Sequence, residues 1–155
     1  LYVQDQDLWR WELPRSEEFN AAIGSHPRDF EYCDRLAATP TLKLATEGVP
    51  ILRAQGIEIE QALHHAHPVS LGRLRVEAVD SRTHRSRIGH ELAKRARYGT
   101  PCGVVYRLTG NQVDVSIYSV DDFDVSKLAA EFGGGGHRNA SGFSVTLDDW
   151  LRRFV

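Results

Sequence analysis

The stretch GVVYRLTGNQVDVSIYS, residues 103–119, decides the fold class. The runs 103–108 and 112–119 are rich in residues that favour β-strands. Thr109, Gly110 and Asn111 lie between them and are typical of a tight turn. The stretch therefore predicts two neighbouring antiparallel strands.

The flanking segments extend this hairpin into an α/β fold. Before the hairpin, strand-like residues at 69–79 precede a helical pattern over 86–97. After the hairpin we expect a short helix capped by Asp124, a last strand over 141–145 and a helical tail over 147–154. Earlier in the chain the spacing predicts helices over 16–24, over 27–36 and from Pro40 to about His67, with a kink or break near Pro50. The expected architecture is a mixed, partly antiparallel sheet of four or five strands, flanked by helices and preceded by a helical N-terminal section.

Composition limits the class of protein. The chain has 155 residues, a formal net charge of −2 and 41% hydrophobic residues, which is ordinary for one compact domain and excludes a disordered or collagen-like chain. No apolar run is long enough to span a bilayer, and Cys33 and Cys102 lack CxxC spacing, which favours reduced thiols. We expect a cytoplasmic protein without membrane contact. Because the sequence contains no methionine, it is interpreted as an excised domain.

The sharpest motif is EFGGGGHRNASGF, residues 131–143. Glycines allow backbone N–H groups to approach an anion closely, and His137 and Arg138 add further donors. This pattern indicates a phosphate site. A flexible glycine loop between a helix and a strand is the alternative interpretation.

A longer pattern around this motif resembles a known family. The segment 124–143, DVSKLAAEFGGGGHRNASGF, resembles the signature of the DHH-associated C-terminal domain of RecJ-like DHH phosphoesterases. The opening YVQDQDLWRWELP, residues 2–14, is similar to the segment that leaves the metal-binding domain in a phosphohydrolase subgroup of that family, which is related to oligoribonucleases. Ser86, Ile88 and Gly89, and also Ser116 and Ser119, stand where the family pattern places them.

The resemblance implies one half of a two-domain enzyme. Residues 1–14 would end a missing DHH metal domain, 15–67 would form a helical linker region, and 68–155 would form the substrate-binding domain. The missing domain would hold divalent metal ions, with manganese expected, for phosphodiester hydrolysis. In this chain we expect no catalytic residue and no metal on its own, and Asp7 is the one candidate metal ligand, acting only with the missing domain. Asp5 is a poorer candidate.

The substrate-binding residues implied by the resemblance come from the glycine segment and from the second strand of the hairpin. They are Gly133, Gly134, Gly135, Gly136, His137, Arg138, Ala140, Ser141, Ser116, Tyr118 and Ser119. Many family members carry an arginine where this chain has Tyr118, and an asparagine where it has Asp80. A tyrosine stacks on bases but does not neutralise phosphate charge, and an unpaired carboxylate would repel phosphate.

Three other features have two interpretations each. The segment 82–97 holds six basic residues and one acid, so it either tracks a nucleic-acid backbone or forms a solvated helix face. Trp9 and Trp11 either stack on bases or pack in a core. The histidines at 64, 65 and 67 either ligate a metal or, as we expect, are solvated.

The favoured hypothesis is a substrate-binding domain of a metal-dependent DHH phosphoesterase that is inactive alone. Its expected partners are a nucleotide or a short single-stranded RNA or DNA and the missing N-terminal DHH domain, and a homodimer is possible. The alternative is a stand-alone nucleic-acid-binding module like the C-terminal domain of alanyl-tRNA synthetases. A third hypothesis is a scaffold whose site has decayed, motivated by Tyr118 and Asp80.

Overall fold

The computed structural model describes all residues from 1 to 155. The chain divides into two compact units, an N-terminal unit of residues 1–58 and a C-terminal unit of residues 59–155.

The N-terminal unit is helical. It contains α1 (Tyr2–Asp7), α2 (Ser16–Gly24), α3 (Phe30–Ala37) and most of α4 (Thr41–His64). Helix α2 has the predicted bounds. Helix α3 begins later than the predicted Pro27, because the Asp29 side chain caps it by accepting a hydrogen bond from the Tyr32 amide at 2.8 Å.

The opening segment forms α1 and a turn after it. Trp9 and Trp11 both have a positive φ of 54°, which excludes them from an extended strand. They lie in a turn that Asp5 holds from inside: its carboxylate is buried and accepts the Glu12 and Leu13 amides at 3.0 and 3.3 Å. Hydrogen bonding from Ser16 and from these amides lowers the pKa of Asp5.

Helix α4 runs without interruption through Pro50, so of the predicted kink or break the break is wrong. A proline removes one N–H donor, and the other hydrogen bonds of a 24-residue helix remain. Gly48 of the same helix has a packing role: a Cβ there would overlap the Glu18 carbonyl group of α2. None of the helices, α4 included, has both the length and the apolar character needed to cross a bilayer.

The C-terminal unit is built on one six-stranded sheet. Its strands are β1 (His67–Leu71), β2 (Leu74–Asp80), β3 (Cys102–Thr109), β4 (Gln112–Ser119), β5 (Gly135–His137) and β6 (Ala140–Thr146), in the order β1-β2-β3-β4-β6-β5. Only β2 and β3 are parallel, and α5 (Arg85–Arg95) connects them. Helices α6 (Val125–Ala130) and α7 (Leu147–Arg153) complete the unit.

The predicted fold class is confirmed, including the β3–β4 hairpin and the partly antiparallel sheet. The sheet has six strands instead of the expected four or five. The strand-like stretch 69–79 forms two antiparallel strands, β1 and β2, and residues 135–137 of the glycine run form another that pairs with β6. The expected cap is present too, since the Asp124 side chain accepts the Ser126 amide at 3.0 Å.

The two faces of the sheet carry different side chains. Along β4, Val113, Val115 and Ile117 point into the main core with residues of α6 and α7, and we call this side the core face. Asp114, Ser116 and Tyr118 alternate with them and lie on the opposite side, the pocket face. Helix α5 covers part of the pocket face through a second apolar cluster: Ile59, Leu63, Val79, Ile88, Leu92 and Val105.

Candidate functional site

Strand register brings the predicted site residues of two distant segments together on the pocket face. Ser116 of β4 is paired with Gly142 of β6, which is paired with Gly135 of β5. The next row contains Tyr118, Ala140 and His137 in the same way. Because directly paired residues project from the same side of a sheet, both rows share one surface.

These rows form an open pocket of about 250 Å³, which we call the β4–β6 pocket. Its lining residues are Ser116, Tyr118, Gly135, Ala140, Ser141 and Gly142. Five of the six belong to the predicted substrate-binding set, and Gly142 is the addition. The lining is mostly backbone and small side chains, so a ligand reaches the sheet surface without crossing bulky groups.

The four glycines of the run have different local roles. The Gly133 and Gly134 amides donate to the Ala130 and Ala129 carbonyls at 3.1 and 3.0 Å, which ends α6 and leaves these two N–H groups engaged. Gly136 has φ of +145°, a conformation that favours glycine. Only Gly135 lines the pocket, and a Cβ added there would meet no atom within 4 Å.

His137 lies next to the pocket rather than in its lining. Its side chain is exposed, and its register with Ala140 places it on the pocket face. The Ser141 hydroxyl donates to the His137 carbonyl at 2.6 Å and ties the end of β5 to β6.

Arg138 and Ser119 are bonded elsewhere in the protein. The Arg138 guanidinium donates to the carbonyl and the carboxylate of Asp122 at 2.7 and 2.9 Å. Ser119 is buried on the core face and donates to the Phe123 carbonyl at 2.7 Å. Neither residue lines the β4–β6 pocket, and both hold the turn at 138–139 against the loop that follows β4.

Tyr118 is held in the pocket by a glycine of α5. A Cβ at Gly89 would overlap the Tyr118 ring, so this helical glycine provides the space that the ring occupies. The ring also packs against the apolar cluster under α5. Tyr118 therefore forms a flat, partly buried wall of the pocket.

Arg85 reaches the same face from the first turn of α5. Its Nη2 atom donates to the Ser116 hydroxyl at 2.6 Å, and its Nε atom is buried without a hydrogen-bond partner. Arg85 is not among the predicted substrate-binding residues. Its only signal in the sequence is membership of the basic stretch, because a contact between residues 31 positions apart needs the tertiary fold.

Two carboxylates near this region have different surroundings. Asp114, on the pocket face, accepts hydrogen bonds from Ser144 at 2.7 Å and Arg107 at 3.1 Å, and these bonds lower its pKa. Asp80 is paired with Tyr106, which packs against Trp150 on the core side of the sheet. The carboxylate of Asp80 is therefore on the other side of the sheet from Ser116.

The basic stretch does not form one uniform surface. Arg82 donates to the Leu108 carbonyl at 2.7 Å, Arg97 pairs with Glu77 at 3.2 Å, and Lys94 pairs with Glu91 at 3.1 Å. Three of its six basic side chains thus interact with other protein groups, and Arg85 is a fourth.

The described chain offers no group of three or more His, Cys, Asp or Glu side chains that would hold a metal ion. Asp7 is the exposed last residue of α1. The Asp5 carboxylate already accepts a hydrogen bond from the Glu12 amide in the turn that it stabilises. The residues of this chain therefore do not by themselves fit a metal centre.

Comparisons with known proteins agree with this architecture. Residues 74–155 match the DHHA1 domain family, which covers the sheet from β2 onward together with α5, α6 and α7. The chain is 31% identical to the oligoribonuclease NrnB of Bacillus subtilis over 99% of its own length and 40% of that protein. It is 27% identical to an uncharacterized protein of Acanthamoeba polyphaga mimivirus over 94% of its length and 36% of that protein. The chain thus spans less than half the length of these curated relatives.

A solved structure shares the fold. The pGpG-specific phosphodiesterase PggH from Vibrio cholerae superposes with a TM-score of 0.52 at 12% identity, over 97% of this chain and 64% of that one.

Proposed function

We propose that this chain, which belongs to the DHHA1 family of domains associated with DHH phosphoesterases, binds the phosphate of a nucleotide or short oligonucleotide in the β4–β6 pocket. In a complete enzyme this binding would position a phosphodiester for hydrolysis by a DHH metal domain. The whole protein would then be a phosphodiesterase of short oligonucleotides, which the name of the relative NrnB supports.

One observation carries the proposal: strand pairing gathers five predicted site residues from two segments about 20 residues apart around one pocket. A Cβ at Gly135 would meet no atom within 4 Å and would project into the space of the pocket. The glycine at this position therefore leaves the pocket open to a ligand.

The donors around the pocket suit a phosphate. The Ser116 hydroxyl and the Tyr118 phenol are neutral groups that donate to phosphate oxygens, and the tyrosine ring offers a flat surface for a base. The proposed role is binding and orientation. The metal ions expected for hydrolysis, a cytoplasmic location and a homodimer remain predictions.

The test is a titration of the chain with the 5′-phosphorylated dinucleotide pApA, followed by amide NMR shifts. We expect shifts at residues of β4, β5 and β6 that line the pocket. Gly135→Val fills the pocket and should abolish them. Gly24→Val, at an exposed position where a Cβ also meets no atom within 4 Å, is the matched control and should leave them unchanged.

Two results would contradict the proposal. If millimolar pApA moves no amide of the wild type, the chain does not bind this ligand class. If the shifts lie in the basic stretch 82–97 and persist in Gly135→Val, the surface that binds nucleic acid is a different one, as the alternative of an RNA-binding module requires.

A further inference from the structure

We propose that Arg85 supplies the positive charge of the β4–β6 pocket and that Ser116 holds its guanidinium there. This inference rests on the proposed function and assigns to the site a residue outside the glycine segment. The ligand class that it implies is an anion with several oxygen acceptors, such as a terminal nucleotide phosphate.

Two other arginines near the pocket are each paired with a carboxylate. The Arg138 guanidinium donates a hydrogen bond to the Asp122 carboxylate, and the Arg107 Nε donates one to the Asp114 carboxylate. Each of these charges therefore already faces a carboxylate. The hydrogen bond of Arg85 goes to a hydroxyl group, which is neutral and leaves the charge of the guanidinium uncompensated at that contact.

The Nε atom of Arg85 is buried and has no hydrogen-bond partner. Removing an N–H from water without a hydrogen-bond partner is unfavourable, and more so for a charged group. A ligand oxygen that reaches this N–H would restore the bond. A phosphate offers several oxygen atoms to the planar fork of a guanidinium, which matches its geometry better than a single carbonyl does.

The charges of Arg85, Arg107 and Asp114 do not cancel. Asp114 is near enough for Arg85 to contribute to its lowered pKa, but its hydrogen bonds go to Ser144 and Arg107. Two guanidinium groups thus face one carboxylate on this part of the sheet. The local excess of one positive charge favours an anion.

Ser116 has a positioning role in this arrangement. It lines the pocket and accepts the hydrogen bond from Arg85, so it connects the first turn of α5 to the surface formed by β4 and β6. Tyr118, two residues along the same strand face, would then contact the part of the ligand next to the phosphate.

The experiment compares the dissociation constants of pApA and of unphosphorylated ApA, measured by calorimetry on the full chain. We expect Arg85→Gln to weaken pApA binding about tenfold or more, because a charge-assisted bond is lost, and to change ApA binding far less. Arg95→Gln removes the same charge from the exposed end of the same helix and should leave both constants nearly unchanged.

Two further variants separate charge from geometry. Arg85→Lys keeps the charge without the planar fork and should give an intermediate loss. Ser116→Ala keeps Arg85 but removes the hydroxyl that holds it, and we expect a loss of a few-fold. These two variants also carry the test if Arg85→Gln does not give the dispersed NMR spectrum of a folded chain.

The outcomes distinguish this inference from the proposed function. If Gly135→Val abolishes pApA binding and Arg85→Gln binds like the wild type, the pocket is correct and the role of Arg85 is wrong. If neither variant changes binding, the pocket itself is wrong. If Arg95→Gln weakens binding as much as Arg85→Gln, the effect is net charge, and the specific contact is disproved.

Discussion

The eight residues of β4 alternate between the core face and the pocket face, and the two faces differ in burial and in chemistry. On the core face, Val113, Val115 and Ile117 are almost completely buried among apolar side chains. On the pocket face, Asp114, Ser116 and Tyr118 are only partly buried and contact an arginine, a glycine or another polar group. The difference indicates that stability depends mainly on one side of this strand and ligand binding on the other.

The largest expected effect tests the core face. Ile117 is completely buried, so Ile117→Ala should lower the free energy of unfolding by about 2–5 kcal/mol through lost burial and a cavity. Urea unfolding followed by circular dichroism measures it. Ile57→Ala is the control, since Ile57 is 54% exposed and its truncation should change stability by about 0.5 kcal/mol or less. Equal losses in the two variants would break the comparison.

The next effect tests the glycine segment at the edge of the pocket face. Gly136→Ala places a side chain at φ of +145° and within 2.8 Å of the Ala140 carbonyl oxygen, so we expect a loss of about 1–3 kcal/mol. Gly135→Ala adds the same methyl group into open space and should cost about 0.5 kcal/mol or less. Thermal unfolding of the pair checks this. A tolerant position 136 with a sensitive position 135 would contradict the described backbone.

The smallest effect is the dependence of stability on pH through Asp114. Its pKa is lowered by the hydrogen bonds from Ser144 and Arg107, so its stabilising contribution is complete above the pKa of the unfolded chain, about 4. The contribution is lost as the pH falls through the lower pKa of the folded state. Asp114→Asn should therefore lose less stability than the wild type as the pH falls below about 5.

Ser144→Ala sharpens the same prediction. This variant removes the hydrogen bond that contributes most to the shift, so the pKa of Asp114, followed by carboxyl NMR, should rise toward its ordinary value. An unchanged pKa would show that Ser144 does not hold this carboxylate in solution.

Local patterns predicted most of the secondary structure. The hairpin follows from two β-favouring runs around a glycine turn, and the start of α6 follows from Asp124, whose side chain needs only a neighbouring amide to act. Predictions failed where packing overrides local preference. Gly48 and Pro50 remain helical in α4, where Gly48 lies against the Glu18 backbone.

The candidate site shows the same division. The glycine motif and the residues of β4 were identifiable from the sequence, because their types and order carry the pattern. The separate roles of the four glycines could not be identified from the sequence. The amides of Gly133 and Gly134 donate hydrogen bonds to carbonyls of α6, and only Gly135 lines the pocket. Nor does the motif show that Arg138, which stands inside it, is bonded to Asp122.

By itself the sequence determined the fold class, the hairpin, the helix cap at Asp124 and the family, because periodicity, turn residues and a continuous motif act over a few neighbouring positions. Only the tertiary structure decided which of those residues share a surface. The pairing of β4 with β6 sets which side chains line the pocket, and the crossover through α5 brings Arg85 to Ser116 across 31 positions. Such contacts depend on the register of distant strands and the packing of a helix, which no local pattern specifies.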